Sequence, residues 1–213
     1  GCKKTHWRRI SLERPFLIHL FYPLDIVSER GPEQIQHNAG ESVSILKSYS
    51  DSDLQILLDL ARYAFLRLDG AWFIASAEKL GVETATDLDI RAWEMFSERL
   101  SRRIVSRMDL HGDFSQVLPK LVETQNVLLN MHGEITCYGE NRASIEVRDC
   151  EVWKMVSKVW TRETAPCHKV TQASIRGMLK GAFPESEFVI KQNKRIPLGD
   201  PCCEVEIIRK TSK

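Results

Sequence analysis

The chain has 213 residues, 43% of them hydrophobic, with only 8 Pro and 11 Gly, which predicts an ordinary globular protein of one domain or one domain with an appendage. Thirty Lys and Arg stand against 29 Asp and Glu, so the net charge of +1 exerts no general pull toward nucleic acid or anionic lipid. The sequence reads without an export signal or an apolar run of membrane-spanning length, so a cytoplasmic location is expected, with the 6 cysteines reduced and serving as ligands, nucleophiles or filler rather than disulfides.

Residues 1–48 carry no sustained helical or strand period and are expected to form an extension of low order. Its apolar patch, residues 16–27, is interrupted by His19, Pro23 and Asp25 and is a candidate for docking on the body or on a partner. Residues 49–213 are expected to form a single domain, helical over 49–131 and mixed over 132–213.

From Asp51 a helical period begins, with Ser50 and Asp51 as N-cap candidates and Leu54, Leu57, Leu58, Ala61, Phe65 and Leu68 as the apolar stripe. The stripe ends at Gly81, a suitable C-terminal cap. Gly70 within it weakens a helix by about 1 kcal/mol relative to Ala, which predicts either two helices meeting there or a neighbour that needs the missing side chain. A second helix reads from about residue 83 to 108, with Ala85, Leu88, Ala92, Trp93, Phe96, Leu100, Ile104 and Met108 on one face and charges on the other. A third starts near Phe114 with Val117, Leu118, Leu121 and Val122; Pro119 is tolerable only in its first turns.

After His132 the period shifts toward two. Residues 134–149 read as a hairpin turning on Gly139 to Arg142, residues 151–160 and 167–183 as helices, and residues 187–192 with 203–209 as a final strand pair whose loop holds Pro197, Gly199, Asp200 and Pro201. The fold class is therefore α+β: an N-terminal helical layer packed on a small antiparallel sheet made of two hairpins separated by helices. On the last strand, alternation puts Cys203, Val205 and Ile207 on the core face and Cys202, Glu204 and Glu206 on the other, so Cys203 is expected inside and Cys202 near solvent.

Cys167, then Gly177 and Gly181 on one helix, then FVIKQ, then GDPCCEVEI, resembles the C-terminal signature of 4-vinyl-reductase-type domains. Gly199, Asp200 and Cys203 match its turn, and Cys202 is extra. The helical stretch LDGAWFIASAEKLGVETATDLDIRAWEMFSERLSRRI looks like that of uncharacterised proteins related to the 2-amino-thiazoline-4-carboxylic acid hydrolase family. Both resemblances imply a helical layer against a small sheet, enclosing a pocket for an apolar or heterocyclic small molecule. The first group implies ligand sensing and, in some members, zinc bound through cysteine and histidine. The strand that carries a further cysteine in that group carries Lys191, Gln192 and Asn193 here.

The candidate ligand pocket is Asp69, Trp72, Trp93, Trp153 and Trp160, whose aromatic rings can wall a cavity and whose carboxylate can polarise one end. Asp69, Trp72, Asp87, Asp89, Trp93 and Arg102 form a wider candidate cluster, against which stands the ordinary reading of Trp93 as part of an apolar stripe, of Asp87 and Asp89 as acids favoured near a helix N-terminus, and of Arg102 as part of a charged face. Cys167, His168 and Cys203 are the candidate zinc ligands, without the paired local spacing of a zinc finger. Cys167 is also the candidate nucleophile, since a helix N-terminus lowers a thiol pKa, while His168 beside it in sequence cannot face it on a helix. Two function classes follow: a small-molecule-binding or sensing protein, or a small-molecule hydrolase using Cys167 or bound zinc. The expected partners are a small organic ligand and, as a candidate, a second copy of the chain, with no nucleic acid.

Overall fold

A computed structural model of the chain describes residues 49–157 and 165–210. The chain divides into two units, Gly1–Gln55 and Ile56–Lys213, and the architecture below is that of the second. The expectations for residues 1–48 lie outside the described residues.

Helix α1 spans Asp51–Leu80. Ser50 opens it through a reciprocal pair: the Asp53 amide donates to Ser50 Oγ at 3.2 Å and the Ser50 amide to Asp53 Oδ2 at 3.0 Å. The helix runs unbroken through Gly70, where an added Cβ would meet nothing within 4 Å, so neither reading of that glycine holds. No α1 residue is fully buried. Its half-buried stripe is Leu58, Arg62, Phe65, Leu66, Asp69 and Phe73, while Leu54, Leu57 and Leu68 of the expected stripe are exposed. Leucines occur on more than one face of α1, so periodicity alone does not select which face turns inward.

Helix α2 spans Val82–Arg107 and turns off α1 at Gly81, whose φ of 86° is left-handed territory suited to glycine. Its buried residues are Ala85, Ser97, Ser101 and Ile104. They face helix α5, Cys167–Ala182, the pair with the most extensive contact in the fold. Small residues make that contact close: Ser97 Oγ and Ser174 Oγ lie 2.8 Å apart, and a Cβ on Gly177 would come within 2.1 Å of the Glu94 carbonyl oxygen. Ion pairs Arg176–Glu94 (2.9 Å) and Lys180–Glu98 (2.8 Å) border the seam.

Helix α3, Phe114–Leu129, is opened by an Asp113–Gln116 capping box and closed by Asn130 at φ 52°. Pro119 leaves the Ser115 carbonyl without its helical donor, and the Cys137 thiol approaches that oxygen at 4.0 Å. Strands β1 (His132–Cys137) and β2 (Arg142–Asp149) form the first hairpin, the short helix α4 (Glu151–Val156) and α5 follow, and β3 (Phe188–Lys194) and β4 (Cys203–Arg209) form the second. The sheet is antiparallel throughout in the order β1-β2-β4-β3, the α+β arrangement that the shift of period predicts. Ala143 and Ile145 stand opposite Ile207 and Val205, and this face meets Phe114, Leu118 and Leu121 of α3 with Met178 and Leu179 of α5 in one apolar core.

Two expectations about accessibility are corrected. Cys202 is 2% exposed rather than near solvent; it sits in the bend ahead of β4, outside the strict alternation of the strand, with Glu146, Lys194, Arg148 and Glu204 within electrostatic reach. Trp72 is 71% exposed, on the outward face of α1.

Candidate functional site

The stretch RIPLGDPCC is a stitched turn. A short 3-10 helix, Ile196–Leu198, ends on Gly199 at φ 98°, the Arg195 amide donates to Asp200 Oδ2 at 2.7 Å, and the Ile196 amide donates to Cys203 Sγ at 3.3 Å. The Gly-Asp-x-x-Cys pattern therefore has a complete structural explanation in its own hydrogen bonds. Cys203 and Cys167 line one small pocket of about 30 Å³ with His168, room for about one water.

Cys167 stands at the first position of α5, where the helix terminus favours a thiolate. Burial wins instead: it pushes the thiol up to about 11, with Cys150, Cys203 and Asp89 nearby adding to the rise. Cys203 is also raised, chiefly by burial. His168 is lowered, chiefly by burial and then by Arg195 and Lys169. Among the described residues no group of three His, Cys, Asp or Glu side chains is arranged to hold a metal ion. Cys150, which no sequence pattern singled out, joins this neighbourhood as the cap of α4, its sulfur accepting from the Trp153 amide at 3.4 Å.

The second group lies between α1 and α2. Phe65 stacks on Phe96 with centroids 5.1 Å apart and meets Trp93 edge-on at 5.9 Å. Burial raises the Asp69 carboxyl, partly offset by a hydrogen bond from Trp93. Asp89 is pushed up to about 7, first by burial and then by Asp69, and among the described residues no cation offsets the burial of either. Asp69 and Trp93 thus come together as expected of a polar-ended aromatic niche, and Asp89 belongs with them rather than serving only the helix N-terminus. Asp89 reaches Cys167 electrostatically, which links the two groups across α2 and α5. Trp153 is half-buried against Cys150, and Trp160 lies outside the described residues.

A third feature is a cleft of about 460 Å³ bounded by α1, α3 and β1, with no cysteine in its lining. Arg62, Asn126 and His132 contribute to its wall; no motif in the sequence marks them.

The model of one family matches residues 47–180, most of the chain. The chain belongs to the family of unknown function DUF6125. That family is neither of the two the sequence resembles. No curated protein matches this DUF6125 chain in sequence. Among solved structures, it is similar to a trafficking protein particle complex subunit 3 from Naegleria fowleri covalently bound to palmitic acid, at 12% identity and a TM-score of 0.54, covering 72% of this chain and 97% of that one. The phenol-responsive sensory domain of the transcription activator PoxR is at 15% identity and a TM-score of 0.47, covering 67% and 73%. An H-NOX protein from S. oneidensis is at 14% and 0.41, covering 65% and 72%. At these identities the first likeness establishes the fold of the DUF6125 chain alone.

Proposed function

We propose that this protein binds, and through binding senses, a small organic molecule at the niche formed by Phe65, Trp93 and Phe96 with Asp69 and Asp89. The observation that carries the reading is the carboxyl pair: two acids raised by burial, one of them bonded by Trp93, with no compensating cation among the described residues. A carboxyl that titrates near neutrality in an apolar wall can donate a hydrogen bond to a neutral ligand as acid, or hold an amine as carboxylate. The fold shared with a protein solved with a bound fatty acid supports a ligand-holding role in general.

The hydrolase alternative, through Cys167 or bound zinc, is less supported: burial pushes the Cys167 thiol up to about 11, away from the thiolate a nucleophile needs, and no group of three metal-binding side chains is found among the described residues. The test is native mass spectrometry of protein purified under mild conditions, followed by denaturing analysis of whatever is released. A stoichiometric small-molecule adduct that is lost in a folded Asp69→Asn, Trp93→Phe variant supports the site. Bare protein, together with Trp fluorescence that no member of a panel of phenols, amines and heterocycles perturbs, would sink it.

A further inference from the structure

We infer that the cleft between α1, α3 and β1 is a second binding site, for an organic carboxylate with an apolar body. Arg62 stands on the inward stripe of α1 between Leu58 and Leu66, where an apolar residue would complete the face. Its side chain is only 14% exposed, and its Nη1 donates to Asp59 Oδ1 at 2.8 Å. Its Nε is buried and has no hydrogen-bond partner among the described residues, while the same side chain lines a cleft of about 460 Å³. Buried donors are ordinarily satisfied, so an orphaned guanidinium nitrogen at a cleft is a place for an acceptor from outside the chain.

The guanidinium's geometry narrows the class. Nε and Nη2 form one edge of the fork, the edge that grips a carboxylate through two parallel N–H bonds, and the bond to Asp59 uses the other nitrogen. Pro119, Val127 and Met131 offer apolar wall for the body of the molecule. The acids nearby are already engaged: Asp59 by Arg62, and Glu123, which also lines the cleft, by Lys120 at 3.0 Å. The field is thus close to neutral, and recognition comes from the directed fork rather than from bulk charge. Asn126, whose Nδ2 donates to the Gly133 carbonyl at 2.6 Å, keeps its amide turned to β1 and holds that wall in place.

The experiment is titration of the full chain with octanoate at pH 7, followed by calorimetry and backbone amide NMR, beside octan-1-ol and octylamine. Octanoate is expected to bind one to one with an affinity on the order of millimolar or tighter, shifting amides of α3 and β1 and leaving Trp93 undisturbed. Arg62→Met, with folding checked by circular dichroism, should weaken it about tenfold or more, the loss of a charge-assisted pair. Val127→Trp narrows the cleft from a side chain that is 49% exposed, keeps Arg62, and should weaken it as well, so the test stands if Arg62→Met does not fold. The inference is overturned if octanoate causes no shifts, if the alcohol or the amine binds as well as the acid, or if both folded variants bind octanoate as tightly as the parent.

Discussion

Asp89 shows how one residue's chemistry depends on where a helix face is turned. In the unfolded chain its carboxyl titrates near 3.8, and in the folded protein burial and Asp69 carry it to about 7. A group raised on folding contributes stability that is fully present below the lower value and is lost as pH rises through the upper one. Asp89→Asn removes that dependence while keeping the neutral shape. Urea unfolding of both proteins at several pH values between 4 and 8 should show the variant gaining on the parent as pH rises, and a difference that does not change with pH would contradict the assignment. The cysteines give a second residue-level outcome. With Cys202 at 2% exposure, and with Cys167 near 11 and Cys203 also raised, alkylation of native protein at pH 7.5 should be slow at all three and slowest at Cys202. Peptide mass mapping reads the order, and Cys202 modified first would mean that its burial is wrong.

Elements meet here through backbone as much as through side chains. A Cβ at Gly177 would strike the Glu94 carbonyl at 2.1 Å, and one at Gly181 would strike the Glu98 carbonyl at 2.3 Å, so α5 lies on α2 closer than any larger residue allows. Gly177→Ala should therefore cost about 2 kcal/mol or more as the helices are forced apart. Gly70→Ala, in a helix and facing open space, should stabilise by about 1 kcal/mol. Chemical denaturation of the two variants reads opposite signs from the same substitution. Equal effects would mean that helix propensity alone governs both sites and that the α2–α5 contact is looser than described.

At the scale of the molecule, the apolar core runs from Ile104 to Ile207 and draws on α2, α3, α5 and the sheet, while α1 adds only half-buried residues. The proposal that residues 49–213 form a domain by themselves follows from that distribution. A chain beginning at Tyr49 should unfold in one cooperative transition with an unchanged denaturant slope, and loss of cooperativity on deletion would place part of the core in residues 1–48.

Element types and their order were legible in the sequence, because the shift of hydrophobic period from 3.6 to 2 after His132 is a local property of the chain. So was the facing of Cys203, Val205 and Ile207, which the pleat alone dictates. Asp69, Asp89 and Trp93 were recognisable as candidates by type, while which members of that wider group meet needed α1 and α2 laid side by side. Which leucines of α1 turn inward, and that Trp72 turns out, depended on the rest of the fold, because a helix with apolar residues on several faces has no unique inside. Burial of Cys202 and of the Arg62 Nε, and the rise of the Cys167 thiol against its helix terminus, were decided only by tertiary structure. Desolvation is set by atoms distant in sequence that close over a group, and no local pattern records which atoms those will be.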